Sequence, residues 1–579
     1  MLHFNELNKT IMKKSHIAVV VLLMFCSCSK TLDYKPKGVL DASDLKSPDA
    51  VEGLVTAAYA AIGNGDMIGP IYSKWAYGSV RSDDAYKGGG GTGDLDEVDK
   101  MEHYNLVTPT MDGIGFLPRT WKNLFKSISR ANVALRAVSA LPDATYPNKK
   151  IRMAELRFLR GHSYFTMKTY YKNIPIFDET ATAEDILKVT NTALNNDASW
   201  NKIAEDFQYA VTNLPDSQPE LGRANKFAAE AYLAKLRLYQ AYEQDEKHKV
   251  ININLDRMRE VVTLLQDVIG KNKYKLSDDI GDNFLAETEN SKESIFAIQF
   301  TINDGTTTGR LDFEDGLNYP HGAPQYGCCG FHAPSQTLVN AFTTDVNGLP
   351  NFDTYNNTIA DLNTATVDVR IDHTVGIDGH PYKYDATKPF SNSWVRDPGV
   401  YGNFHAMRSE LLATSSSYFK LGPFMGTAKN VDILRYDDIL LMQAEAYIEL
   451  GQQADALPLI NQVRARAAIS TGRLKKLDGT FPSHYLVNEY PSAGWTQEYA
   501  RKALQWERRL EFATEGSRFF DLVRWGIAEQ TLNAYIAIEK NRRTFLSTAH
   551  FTAGRDEYFP IPQSEITFTN GLYKQNPGY

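Results

Sequence analysis

The stretch Trp506–Gly526, reading WERRLEFATEGSRFFDLVRWG, constrains this chain more than any other. Trp506, Leu510 and Ala513 recur at i, i+4 and i+7, which is one apolar stripe of a helix. Glu507 and Glu511 lie one turn apart beside Arg508, so a charged ladder flanks that stripe. Gly516 can stop the first helix in a left-handed cap. A second helix then carries Phe519, Leu522 and Val523 inward and ends at Gly526. A hairpin this rich in charge must pair its arginines and carboxylates once neighbours cover them. The spacing predicts a structural ion-pair network rather than a catalytic site.

The rest of the composition is ordinary for a globular chain. Of 579 residues, 43% are hydrophobic and 23% charged, enough for a large core or two closely packed lobes. The net charge of −8 favours neither nucleic acid nor an anionic membrane as partner. Tyr is abundant, at 31 residues, and exposed aromatic faces are what a carbohydrate binder needs.

The N-terminus reads as an address. Met12, Lys13 and Lys14 precede an apolar run from Ile17 to Phe25, too short for the roughly 20 residues that span a bilayer. Met12 is an alternative start, since the first 11 residues carry no such logic. The run ends Phe25-Cys26-Ser27-Cys28. A small residue before the cleavage point favours Ser27, which makes Cys28 the expected lipidated N-terminus; Cys26, behind the bulky Phe25, is the fallback. Several acyl chains at one cysteine give stable anchoring without a span.

Beyond a polar tether, helical periodicity recurs in pairs: 50–62, 121–141, 149–171, 200–214, 225–242, 433–450 and 454–468. The spacing resembles tetratricopeptide repeats of about 34 residues, without a clean consensus. Asn173–Phe177 reads as a short strand, and Ser294–Thr301 as a convincing one. Gly88–Gly91 reads as a flexible surface loop, because no Gly-Lys-Ser/Thr follows to make it a phosphate loop. From about 300 to 425 the chain turns loop-rich, and long ordered loops on a helical scaffold usually carry binding function. The organisation expected is a leader at 1–28, a helical region at 29–270 and a second region at 271–579, whose helices run from about 432 to 530.

No G-x-S-x-G, H-E-x-x-H or S-x-x-K set is present. Asp83-Asp84 is the one suggestive carboxylate pair in an aromatic setting, and a turn or cap pair is the preferred reading. Asp94, Asp96 and Asp99 lack the glycine and distal Glu of a calcium loop, and no Cys/His spacing suggests zinc. No catalytic residue, metal or cofactor is therefore assigned. Binding has the better case, since sugars take flat aromatic platforms together with Asp, Asn and Arg hydrogen bonds. Two stretches offer that mixture: 75–86, and 319–331 with 394–401. Trp75, Tyr86 and Trp394 are the candidate stacking rings, with Arg81, Asp83 and Arg396 as hydrogen-bonding groups; core packing is the alternative for each. Tyr326 and Cys328 join them as ligand-binding candidates. Cys328-Cys329, flanked by Gly327 and Gly330, reads either as a ring disulfide or as two buried thiols.

The hairpin sequence ERRLEFATEGSRFFDLVRWG resembles the C-terminal signature of the SusD/RagB family of outer-membrane nutrient-binding lipoproteins. AELRFLRGHSYF, LGRANKFAAEAYLAKLRLY, FHAPSQTLVNAF, ILRYDDILLMQAEAYIELG and YFPIPQSEITFTNGLYKQNPGY are similar to further family segments. The resemblance implies a mainly α fold: tetratricopeptide-like helix pairs carrying a loop-rich lobe with short strands. It also implies a surface-exposed lipoprotein of the outer membrane that captures oligosaccharides and hands them to a SusC-like TonB-dependent transporter. A lipid-anchored glycoside hydrolase is the alternative from another class. A structural lid, or a carrier of peptide cargo, is a further variant.

Overall fold

Asparagine starts three successive helices. Asn195, Asn225 and Asn254 each accept a backbone N–H from the first turn, ahead of the helices Asn196–Asn213, Lys226–Ala241 and Leu255–Gly270. In the last of these, Met258, Val261, Leu265 and Val268 form the buried stripe. The structure is a computed structural model that describes residues 47–579, except 64, 112–114, 303 and 306–309. The expected leader and the lipidation site at Cys28 lie outside the described residues. Glu52–Tyr579 form one compact unit that holds the helical scaffold and the loop-rich lobe.

The helices stack in sequence. Phe116–Ala140 packs on Lys149–Tyr171, which packs on Asn196–Asn213, then Lys226–Ala241, then Leu255–Gly270. That last helix packs on Tyr436–Glu449, which in turn meets Gln453–Ile469 and Gln497–Glu511. The scaffold thus continues across the whole 271–435 segment as though that segment were inserted. The fold is mainly α with helix pairs and short strands, as the periodicity and the resemblance imply. Among the described residues, no helix is long and apolar enough to cross a membrane.

The strands pair two at a time. Ser294–Ile298 is antiparallel to Val431–Arg435, which closes the base of the loop-rich lobe. Ala85–Gly88 is antiparallel to Phe331–Pro334, with Tyr86 opposite Ala333 and Gly88 opposite Phe331. Tyr418–Leu421 and Phe424–Thr427 form a hairpin. Asn173–Phe177 is not a strand: the Phe177 N–H bonds the Tyr164 hydroxyl, and no strand among the described residues supplies a ladder.

The opening hairpin becomes the hub of a buried ion network. Arg508 bonds Asp521 at 2.9 Å and Asp438 at 2.8 Å, tying the two short helices to the scaffold. Glu507 takes Arg370 at 2.6 Å and Arg464 at 3.0 Å, while Glu511 takes Arg370 and Arg466. Gly516 has φ +77°, and a Cβ on Gly78 would sit 1.8 Å from its carbonyl oxygen. Only hydrogen at Gly78 lets the turn Trp75–Val80 press its backbone onto the hairpin.

Candidate functional site

The two aromatic stretches have different fates. Trp75, Arg81, Asp83 and Tyr86 are all buried, at 1% exposure or less. Trp75 lies among Phe116, Phe331 and His332, with ring centroids 6.0–6.3 Å away. The Arg81 guanidinium sits 3.9 Å over Phe559 and donates to the Asp556 carbonyl. Asp83 is clasped by Arg518 at 2.9 Å and Arg509 at 3.0 Å, and Asp84 by Arg509 at 3.1 Å. The pair expected at a turn or cap is thus the buried counter-charge of two hairpin arginines. Burial alone would raise both pKa values; the two guanidinium charges outweigh it at Asp83 and hold it at about 2, whereas Asp84, beside the Asp83 charge, rises to about 6. The Tyr86 hydroxyl donates to Glu539 at 2.7 Å. The expectation that the Trp75 and Tyr86 rings stand open is therefore corrected. Polar, turn-forming neighbours do not expose a ring when a distant segment brings the charges that pair with them.

The second stretch forms a surface. Tyr319, Tyr326, Tyr382, Phe390, Met407 and Met425 make a buried cluster, and Cys328, Trp394, Val395, Leu412, Ala413 and Tyr418 cover it while staying partly exposed. The foundation is rigid. Tyr326 donates to the Leu411 carbonyl at 2.9 Å, and Tyr319 accepts the Leu411 N–H at 3.1 Å. Tyr382 bonds Glu410. Ser391 caps the turn Asn392–Trp394, and the Trp394 carbonyl accepts the Gly322 N–H at 2.9 Å. Trp394 meets Tyr382 and Phe390 edge-on at 5.4 and 5.5 Å, an arrangement that fixes the ring without hiding its face.

A polar rim surrounds these groups. Arg396 bridges Asp94 at 2.7 Å and the Cys329 carbonyl at 3.1 Å. The Lys420 ammonium donates to the Tyr326 carbonyl at 2.5 Å. The Tyr418 hydroxyl has no partner among the described residues. Cys328 and Cys329 are joined as a disulfide, so the ring, not the thiol pair, is the form present. Gly88–Gly91 reaches the same place through the pairing of Gly88 with Phe331 and the Gly89 N–H bond to the Gly330 carbonyl at 2.7 Å. Lys87 beneath it donates to the carbonyls of Gly91 and Asp94, so the stretch read as a flexible loop is hydrogen-bonded at both ends. Asp94 and Asp96 already accept from Gly90, Arg396 and Lys100. The structure thus brings Tyr326, Cys328, Trp394 and Arg396 together, and leaves Trp75, Arg81, Asp83 and Tyr86 in the core. It adds Tyr418, Lys420 and Asp94. The one sequence signal for Tyr418 is an aromatic pair caught between a serine run and a Gly-Pro turn.

Comparison with known proteins gives a consistent picture. The SusD family profile matches residues 292–579, and a second, described as starch-binding associating with outer membrane, matches 90–238. SusD-like protein P25 of Formosa agariphila is 24% identical over 547 residues, covering 89% of this chain and 90% of that protein. A SusD-like protein of Bacteroides ovatus is 25% identical over 543 residues, covering 89% and 83%. Among solved structures, a SusD superfamily protein from Bacteroides vulgatus superposes with a TM-score of 0.68 at 22% identity, covering 92% of this chain and all of that one. Surface glycan-binding protein A from Bacteroides thetaiotaomicron, solved with laminarihexaose, gives 0.64 at 21% identity, covering 92% and 99%.

Proposed function

The chain belongs to the SusD/RagB family, and we propose that it is a surface lipoprotein of the outer membrane that captures oligosaccharides and passes them to a SusC-like TonB-dependent transporter. One observation carries the binding part: Trp394, Cys328 and Tyr418 lie partly exposed on a fixed tyrosine cluster beside Arg396 and Lys420. Such a shelf offers an apolar face for the C–H side of a sugar and polar groups for its hydroxyls. A relative solved with laminarihexaose supports a glycan as the ligand class.

The test is a glycan screen of the protein lacking residues up to Cys28, followed by titration of variants. Trp394→Ala should weaken the selected glycan about tenfold, because losing one ring costs about 1–2 kcal/mol at about 25 cal/mol per Å² of buried apolar area. Its circular dichroism and Tm should stay close to wild type. Unchanged affinity would remove this surface from consideration, and sustained release of new reducing ends would replace the binding role with hydrolysis. For anchoring, Cys28→Ala should move the protein from the membrane fraction to the soluble one. Retention of that variant alongside release of Cys26→Ala would shift the acyl site to Cys26.

A further inference from the structure

Beneath the Trp394 surface the aromatic cluster rests on one buried carboxylate. Glu410 has 0% exposure, and each of its oxygens has a partner. Oε2 accepts the Tyr382 hydroxyl, and Oε1 lies 2.6 Å from His405 Nε2. The adjacent Leu411 backbone meets the hydroxyls of Tyr319 and Tyr326, its N–H donating to the first and its carbonyl accepting from the second. Three tyrosines of the cluster therefore end on the dipeptide Glu410-Leu411.

His405 passes the constraint to a second ring. It stands opposite Gly376 in the short antiparallel ladder of His405–Ala406 with Val375–Gly376. The Phe390 ring lies nearly parallel to the His405 imidazole, with centroids 5.9 Å apart and 14° between the planes. A Cβ on Gly376 would come within 2.9 Å of the Phe390 ring, so a bare glycine leaves the room that ring fills. Tyr382 and Phe390 are the two buried rings that Trp394 meets edge-on. Two routes thus run from Glu410 to Trp394, one through Tyr382 and one through His405 and Phe390. Stability alone does not account for a charge in that place. A carboxylate among aromatic rings costs desolvation, and apolar side chains of similar volume often stabilise as well or better. What the carboxylate supplies is direction, because each hydrogen bond to it fixes a ring that dispersion alone holds only loosely.

We propose that Glu410 and His405 are positioning residues for glycan binding, which set the Trp394 ring at the angle that receives a sugar face. The role rests on the binding function proposed above for the Trp394 surface. Both residues are buried, Glu410 at 0% and His405 at 3% exposure, so they act through the rings and not by touching the ligand.

Protein labelled with fluorotryptophan tests this without any ligand. The chain has seven Trp, and Trp394→Phe identifies the fluorine resonance of that ring. Glu410→Ala should displace or split the Trp394 resonance and leave the others in place. Glu410→Gln, which keeps an acceptor for Tyr382 and a partner for His405, should restore it. Tyr382→Phe removes a single hydroxyl and should also displace it, which keeps the test decisive if Glu410→Ala does not fold. Titration with laminarihexaose supplies the functional readout. Glu410→Ala should bind about tenfold more weakly, as Trp394→Ala does, and the double variant about tenfold rather than about a hundredfold, because both act through one ring. A Trp394 resonance unmoved in Glu410→Ala and Tyr382→Phe, or additive losses in the double variant, overturns the proposal. If the wild type does not bind laminarihexaose, the choice of glycan fails, and the fluorine spectra decide the positioning by themselves.

Discussion

Replacing Arg524 by alanine should lower the stability of this protein by about 3–5 kcal/mol, the cost of stranding a buried charge. Arg524 is 1% exposed and grips both oxygens of Glu445, one of them at 3.1 Å, while also reaching Asp521 at 2.9 Å. Glu445 accepts from the Trp525 indole and the Tyr242 hydroxyl as well, at 2.9 and 2.7 Å. Without the guanidinium, two neutral donors remain around a fully buried negative charge. The measurement is the urea midpoint at pH 7, with Arg524→Met/Glu445→Leu as the partner variant. Removing both charges should recover most of the loss, since the penalty lies in the orphan and not in the missing pair. An unchanged midpoint sinks the idea; a normal midpoint with abolished glycan binding would relocate the hairpin from scaffold to site.

The same network sets an acid limit. Burial opposes the ionised forms of Glu511 and Asp83, but the arginines around each outweigh it and hold both at about 2. Folded values below the ordinary carboxylate range mean stability that is complete above about pH 4.5 and lost as pH falls toward 2. A urea midpoint that holds down to about pH 4.5 and drops steeply below it is the expected profile.

Trp75→Ala is expected to cost about 3–5 kcal/mol, as large aromatic deletions in a packed core do. The ring is 1% exposed and wedged among three other rings, so truncation leaves a cavity that neighbours cannot close. Glycan affinity of the folded fraction should match wild type. The outcome is opposite in kind to that for Trp394→Ala, where binding weakens and stability holds. A stable Trp75→Ala protein with tenfold weaker binding would return this ring to the ligand surface.

That contrast marks what the sequence discloses. The Lys149–Tyr171 helix is legible to its ends because its apolar spacing is local information. Leu255–Gly270 carries a signal of the same kind, Met258, Val261, Leu265 and Val268 behind an Asn cap, although it is not among the helices expected from periodicity. Trp75 and Trp394 look alike in sequence, each beside Gly, Arg, Asp or Ser. The difference between them is whether a remote segment covers the ring. Phe331 pairs opposite Gly88 and seals Trp75, whereas the turn after Ser391 lifts Trp394 onto the outside of its cluster. Pairing of that range leaves no periodic trace. For the same reason the hairpin's charges announce a network but not its members, since Asp83 and Asp84 lie more than 400 positions away from Arg518 and Arg509.

That separation has a kinetic side. Ribosomes deliver Asp83 and Asp84 long before their partners Arg518 and Arg509, which lie 435 and 425 positions later. Until then the nascent segment carries two carboxylates that cannot enter a dry interior alone, so its early helices have no stable way to close over residues 75–86. Residues 75–86 can therefore reach their buried, charge-paired state only after Arg509 and Arg518 have been made.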